Sequence, residues 1–352
     1  MSRKSAERKF NYSADEHQRN FVSLMKEFSY GHHLDTVFRD FVELAALAIS
    51  NSVDRAQFDA REKRYLEIVG KYRKDEVERF PLMFAELTLA FEKRVSVMAA
   101  ARERGVMASN LTDVLGETYM MMDLGNDRSG QFFTPYAISK LMAGIIGGDA
   151  VARADAQGFA RVHEPACGAG GMVIATAEAF HDAGLNYQQA MHATCIDIDS
   201  CCVHMTYLQL ALLHIPAIVV HGNALTMEVW GQWFTPAHVL GGWGRKLRER
   251  RTLDVMRSLM GASSSEDEPG DEQVPPASSE EVIPDPVVEV EPAIHDVAVA
   301  GAEAEEAGEL AVLERPVQAQ ASVGLADMFE EIVSTRPRER DIFDVIDQMA
   351  LF

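Results

Sequence analysis

Three stretches of this chain set polar residues and glycines where strand-like runs end, a pattern suited to holding a small charged ligand. An apolar lead, 159–162, runs into HEPACGAGG at 163–171 and then into an Ala-rich stretch, 172–183, with helical character. An acid, Glu164, is followed by a turn containing Cys167, Gly168 and Gly170, and a helix start follows the turn. Glycines let the backbone approach a ligand closely, and a helix N-terminus offers N–H groups without intrahelical partners. A second apolar run, 191–196, ends in Asp197-Ile198-Asp199, and a third, 217–220, ends in His221-Gly222-Asn223.

In an open parallel sheet such ends lie side by side, and ligands bind beyond the carboxyl ends of the strands. Glu164 and the glycines would hold a charged tail, Asp197 would accept from ribose hydroxyls, and Asn223 would read an adenine edge. That is the outline of an S-adenosylmethionine site. A dinucleotide site is the nearest rival, but its fingerprint wants a third glycine three residues after the second and an acid about 20 residues further on. The third position here is Val173, and Asp197 stands well beyond that distance. No G-x-x-x-x-G-K-[ST] string is present for a triphosphate loop.

GQFFTP at 130–135, then HEPACGAGG, then CIDID at 195–199, in that order, resembles the adenine-N6 DNA methyltransferases, especially the modification subunits of type I restriction systems. The resemblance covers roughly residues 105–225. It implies that Phe133 and Thr134 face the methionine end of the cofactor. Glu164, Cys167, Gly168 and Gly170 would form the first loop, Asp197 would bind ribose and Ile198 would pack on adenine. Asn223 stands where the family usually has Asp. The resemblance also implies DNA as a partner, with a separate specificity or partner subunit. A plainer reading makes Phe132 and Phe133 core residues and Thr134 the cap of a helix starting near Pro135.

The family pattern then breaks. Those enzymes carry Asn or Asp, two prolines and an aromatic after the fourth strand, and this sequence has no such tetrapeptide. The adenine amino nitrogen is a poor nucleophile, so a side-chain amide and a backbone carbonyl accept its hydrogens while the aromatic stacks on the flipped base. The corresponding stretch reads EVWGQWFTPAHVLGGW at 228–243, where Trp230, Trp233 or Phe234 would have to stack, and no catalytic residue can be named. A non-catalytic cofactor-binding or DNA-associated partner protein is the alternative.

Length and composition frame these motifs. The net charge is −21, but sixteen acids and no Lys or Arg fall between Gly261 and Glu314, which leaves the rest near −5. Local contact with nucleic acid is thus neither required nor excluded by charge. Six basic residues, Arg245, Lys246, Arg248, Arg250, Arg251 and Arg257, form the one dense basic run, read as a solvated helix face or as phosphate contacts. The four cysteines lack paired C-x-x-C spacing and read as reduced thiols. Adjacent His32 and His33 lack a third ligand nearby, so no metal site is expected. With no signal-peptide pattern and no run approaching 18 apolar residues, a cytoplasmic protein without membrane segments is expected.

The elements that must position the motifs follow from periodicity. Helical spacing at 16–28, 34–50, 82–91 and 111–124 predicts an N-terminal helical domain over 1–125. Helices at 136–146 and 201–214 alternate with the three strands, which argues for α/β layering with parallel strands. The resemblance then implies that 126–258 is a Rossmann-like class I S-adenosylmethionine-dependent methyltransferase domain, its later strands missing because the composition changes soon after Trp243. The Glu-, Pro-, Ala- and Ser-rich stretch 259–324 is expected to be disordered. At 325–352 helical spacing returns, reading as a docking helix for a partner or for the chain's own body.

Overall fold

The structure is a computed structural model that describes residues 14–28, 31–106, 110–122, 124 and 133–263. The expectations for Gly130, Gln131 and Phe132, for the acidic stretch beyond 263 and for the 325–352 segment fall outside those residues.

Helices stand at all four predicted stretches before residue 125, two more lie between 58 and 77, and the one predicted at 82–91 extends over Arg79–Glu103. Helix α1, Glu16–Lys26, starts in a capping box in which Asp15 accepts from the Gln18 N–H and Gln18 accepts from the Asp15 N–H. Helix α2, Leu34–Val53, buries Val37, Phe38, Phe41, Val42, Leu44 and Ala45, a face too wide for a surface helix, because it is enclosed by its neighbours. Helices α3, Phe58–Val69, α4, Lys74–Val77, and α5, Arg79–Glu103, follow. Pro81 sits in the first turn of α5, where its missing N–H costs nothing, so the helix begins ahead of it. Helix α6, Val114–Met121, is capped by Asp113, which accepts from the Gly116 N–H at 2.8 Å.

Helix α7, Tyr136–Gln157, runs well past the predicted end at 146, through an Ala-rich stretch, and stops at Gly158 with φ 85°. Four strands follow, with helices between them: β1, Ala160–Glu164; α8, Gly171–Asp182; α9, Tyr187–Ala190; β2, Met191–Asp197; α10, Ser200–Leu212; β3, Ala217–Asn223; and β4, Glu228–Phe234. The strand order is β1-β2-β3-β4, with the first three parallel as expected. β4 departs from expectation by turning straight back to pair antiparallel with β3. A bulge falls between His221 and Gly222, where a side chain on Gly222 would collide with the Glu228 carbonyl. Helices α11, Pro236–Leu240, and α12, Trp243–Ser263, complete the described chain.

Period-2 alternation divides the sheet's two faces. Ala193, Cys195, Ala217 and Val219 join one continuous core with α2, α8 and α10, while Ile196, Ile218 and Val220 meet Leu247 of α12 on the other face. The described residues up to Thr252 form one compact unit. Residues 253–263, the last turns of α12, belong to another, in which Asp254 and Arg257 approach to 3.8 Å. No helix among the described residues is long and apolar enough to cross a membrane.

Candidate cofactor site

Parallel pairing brings the three predicted strand ends to one edge of the sheet. Glu164 is level with Cys195, two residues short of Asp197, and Asp197 is level with His221, two residues short of Asn223. The ends therefore descend in steps of about 7 Å, two residues of strand rise. The glycine turn joins β1 to α8, and its conformation explains its composition. Gly168 has φ 53° and Gly170 has φ 91°, the left-handed region where a side chain is strained. A Cβ on Gly168 would lie 3.0 Å from the Phe133 ring, and one on Gly170 would lie 3.2 Å from the Thr206 hydroxyl.

Asp197 organises this turn. Its Oδ2 accepts from the Gly168 N–H at 2.8 Å and its Oδ1 from the Asp199 N–H at 2.9 Å. Each oxygen keeps a lone pair for a further donor. Burial raises the Asp197 pKa, assisted by the charge of Asp199 and opposed by the N–H groups of Asp199, Gly168 and Ile198. Burial likewise raises the Glu164 pKa, opposed by the Ala166 N–H and assisted by the charge of Asp197. The Cys167 thiol is buried and held in its neutral form, a packing residue rather than a nucleophile. Gly170 is the N-cap of α8 and no side chain caps that helix, so its first N–H groups face the turn without a side-chain acceptor.

The remaining predicted residues are placed as follows. Phe133 is half-buried, its ring against Gly168 and 5.4 Å from that of Tyr119. Thr134 is exposed and does not cap α7, whose N-cap is Pro135 with no side-chain hydrogen bond, so the capping expectation fails. Ile198 is 62% exposed at the end of β2, an apolar surface beyond the strand tips. Asn223 uses its Oδ1 to accept from the Leu225 and Thr226 N–H groups, and its side-chain NH₂ is the group that can face a ligand.

Of the aromatics proposed for base stacking, Trp233 is withdrawn into the core, packed against Tyr207 and under the Arg61 guanidinium at 4.2 Å. Trp230 is half exposed and stands edge-on to His221. Phe234 packs on His238. The basic run lies on α12, where Lys246 covers Trp243 and Arg250 hydrogen-bonds Gln157 at the end of α7.

Several residues that brace the turn escaped sequence reasoning. Gln209 of α10 is fully buried and donates to both Asp113 Oδ1 and the Ala169 carbonyl at 2.7 Å, while its Oε1 accepts from the Leu115 N–H at 3.1 Å. The Thr206 hydroxyl donates to the Gly168 carbonyl at 2.8 Å. Arg39 of α2 reaches Asp199 at 3.3 Å and the Tyr119 hydroxyl at 3.2 Å. Asp113 alone carried a local signal, an acid three residues ahead of Gly116 at a helix start; the others depend on contacts between distant segments.

Burial pushes the Asp113 carboxyl up to about 6, against the lowering effect of the Gln209 and Gly116 donors. Its folded pKa thus exceeds the unfolded value of 3.8, so its contribution to stability is full below the unfolded pKa and fades as pH rises through the folded one. We expect Asp113→Asn to gain about 1.4 kcal/mol relative to the parent chain between pH 5 and pH 8, read from urea unfolding at the two pH values. A difference that stays flat with pH would show that the carboxyl is already ionised in the folded protein.

No curated protein and no solved structure matches the chain. Residues 110–232 match the family model described as N-6 DNA Methylase, so the resemblance carried by FTP, EPACGAGG and CIDID holds over that stretch, about a third of the chain.

Proposed function

We propose that the chain is a DNA adenine-N6 methyltransferase-like protein that binds S-adenosylmethionine across the carboxyl ends of β1, β2 and β3. The domain would be a Rossmann-like class I fold that lacks the later strands of a full methyltransferase. One observation carries the reading: the Asp197 carboxylate grips the Gly168 N–H, so that strand-end acid and glycine turn form one rigid receptor.

The donor set suits the cofactor. The uncapped N-terminus of α8 suits a carboxylate, and Glu164 suits the ammonium group. The spare lone pairs of Asp197 suit two neighbouring hydroxyls. Ile198 offers an apolar platform for a purine ring, and the Asn223 amide NH₂ can donate to a ring nitrogen. Phe133, Thr134 and Cys167 would complete the wall at the methionine end. When bound, the cofactor supplies an electrophilic methyl group; this chain's residues bind and orient it and keep the turn closed around it. DNA is the partner this reading implies.

The second reading is a cofactor-binding or DNA-associated partner protein without methyl transfer. The sequence has no Asn/Asp-Pro-Pro-aromatic string, and the segment after β3 folds back as β4 with Trp233 locked into the core. Calorimetric titration with S-adenosylmethionine, followed by transfer of labelled methyl to unmethylated DNA, tests both. Saturable binding with transfer to adenine supports the enzyme. Binding without transfer across varied DNA leaves the second reading, and no binding removes the enzyme and leaves only a DNA-associated partner protein.

A further inference from the structure

Helix α7 presents its side chains in an order opposite to what burial favours. The face turned inward carries small residues, Ser139, Ala143, Gly147, Ala150 and Ala154. They let α7 approach α8 closely: a Cβ on Gly147 would lie 3.4 Å from that of Ala179. The large apolar residues point out. Ile138 is 46% exposed, Leu141 61%, Met142 40%, Ile145 75% and Ile146 61%. Their spacing, i, i+3, i+4, i+7 and i+8, is that of a helix face built to be covered. Together they leave on the order of 500 Å² of apolar surface in one stripe, the size at which a patch marks an interaction site.

We infer that this stripe is the docking surface for the chain's own segment 325–333, folded on it as a helix. The segment reads LADMFEEIV, and Leu325, Met328, Phe329, Ile332 and Val333 repeat the same i, i+3, i+4, i+7, i+8 pattern, with Asp327, Glu330 and Glu331 between them. Two matched apolar stripes of about two turns each can pack ridge into groove along their length. The connection is also the right length. Arg250 hydrogen-bonds the Gln157 carbonyl, so α12 passes the C-terminal end of α7 shortly before residue 253. Ile145 lies twelve residues back along α7 from Gln157, about 18 Å at helical rise. A tether of about seventy residues has a mean span on the order of 50 Å, so it reaches the stripe with slack. Such tethering holds the segment at an effective concentration in the millimolar range, enough for a short helix of modest intrinsic affinity. A second copy of the chain has no comparable advantage at low concentration.

The native cysteines are all buried, so a single exposed thiol reports cleanly on the stripe. In the full chain carrying Ile145→Cys, maleimide labelling should speed up about tenfold when Phe329→Glu and Ile332→Glu are added. A second full chain carrying Ile145→Cys and Phe329→Cys should form an intrachain disulfide under mild oxidant, seen as a monomer on a non-reducing gel. Equal labelling rates with and without the charged pair would overturn the proposal. So would release by Val345→Glu and Ile346→Glu instead, which would assign the surface to 342–349, or protection that grows with protein concentration, which would assign it to a second copy.

Discussion

Replacing Gln209 with Leu is expected to destabilise the protein by about 3–5 kcal/mol, because the volume is kept while three buried partners lose their hydrogen bonds. The Ala169 carbonyl and the Asp113 carboxylate would each lose a donor at 2.7 Å, and the Leu115 N–H would lose its acceptor. Each buried polar group left unpaired costs about 1–3 kcal/mol, and the terms overlap because Asp113 keeps the Gly116 N–H. Chemical denaturation with fluorescence and circular dichroism as coincident probes measures the loss. A change below about 1 kcal/mol would mean that water replaces the amide, and that Gln209 does not brace the glycine turn.

The second large effect is on the ligand. Asp197→Ala removes the acceptor for the Gly168 and Asp199 N–H groups together with the acid proposed to meet the ribose hydroxyls. Affinity for S-adenosylmethionine should fall about 100-fold, equivalent to about 2.7 kcal/mol. Asp197→Asn should fall between the two, since an amide has one acceptor oxygen for two N–H donors that now hold separate oxygens. Because burial raises the pKa values of both Asp197 and Glu164, affinity should also weaken as pH falls and the carboxylates are protonated. Calorimetry on each variant, with folding checked by circular dichroism, gives the answer. A folded Asp197→Ala chain that binds as tightly as the parent would move the ligand away from these strand ends.

The strand ends were legible because each combines a β-branched or apolar run with an abrupt polar stop, and because Gly168 and Gly170 take backbone angles that other residues avoid. The parallel pairing followed from the helices between the strands. β4 was not legible, and the reason is local. The turn that leads into it, Ala224-Leu225-Thr226-Met227, contains neither Gly nor Pro, and Met227 itself adopts φ 61°. Hairpin reading relies on turn residues that relieve such strain, and here they are missing. The strand's own alternation is blurred by a buried Gln232, whose carbonyl accepts from Arg61 at 2.7 Å. Gln209 and Arg39 went unseen for a different reason: no spacing rule links residue 209 to 113 or residue 39 to 199.

Those long-range links bear on how the molecule can be taken apart. Glu178 in α8 accepts from the Leu111 N–H at 3.3 Å and the Tyr136 hydroxyl at 3.0 Å, and Gln209 reaches back to Asp113. A fragment started at 126 would keep Tyr136 beside Glu178 but lose Leu111 and Asp113, and it would uncover the flank of α10 that rests on α2. The motif-bearing stretch and the helices ahead of it therefore make one folding unit, and a piece trimmed to the recognisable motifs is expected to aggregate when produced alone.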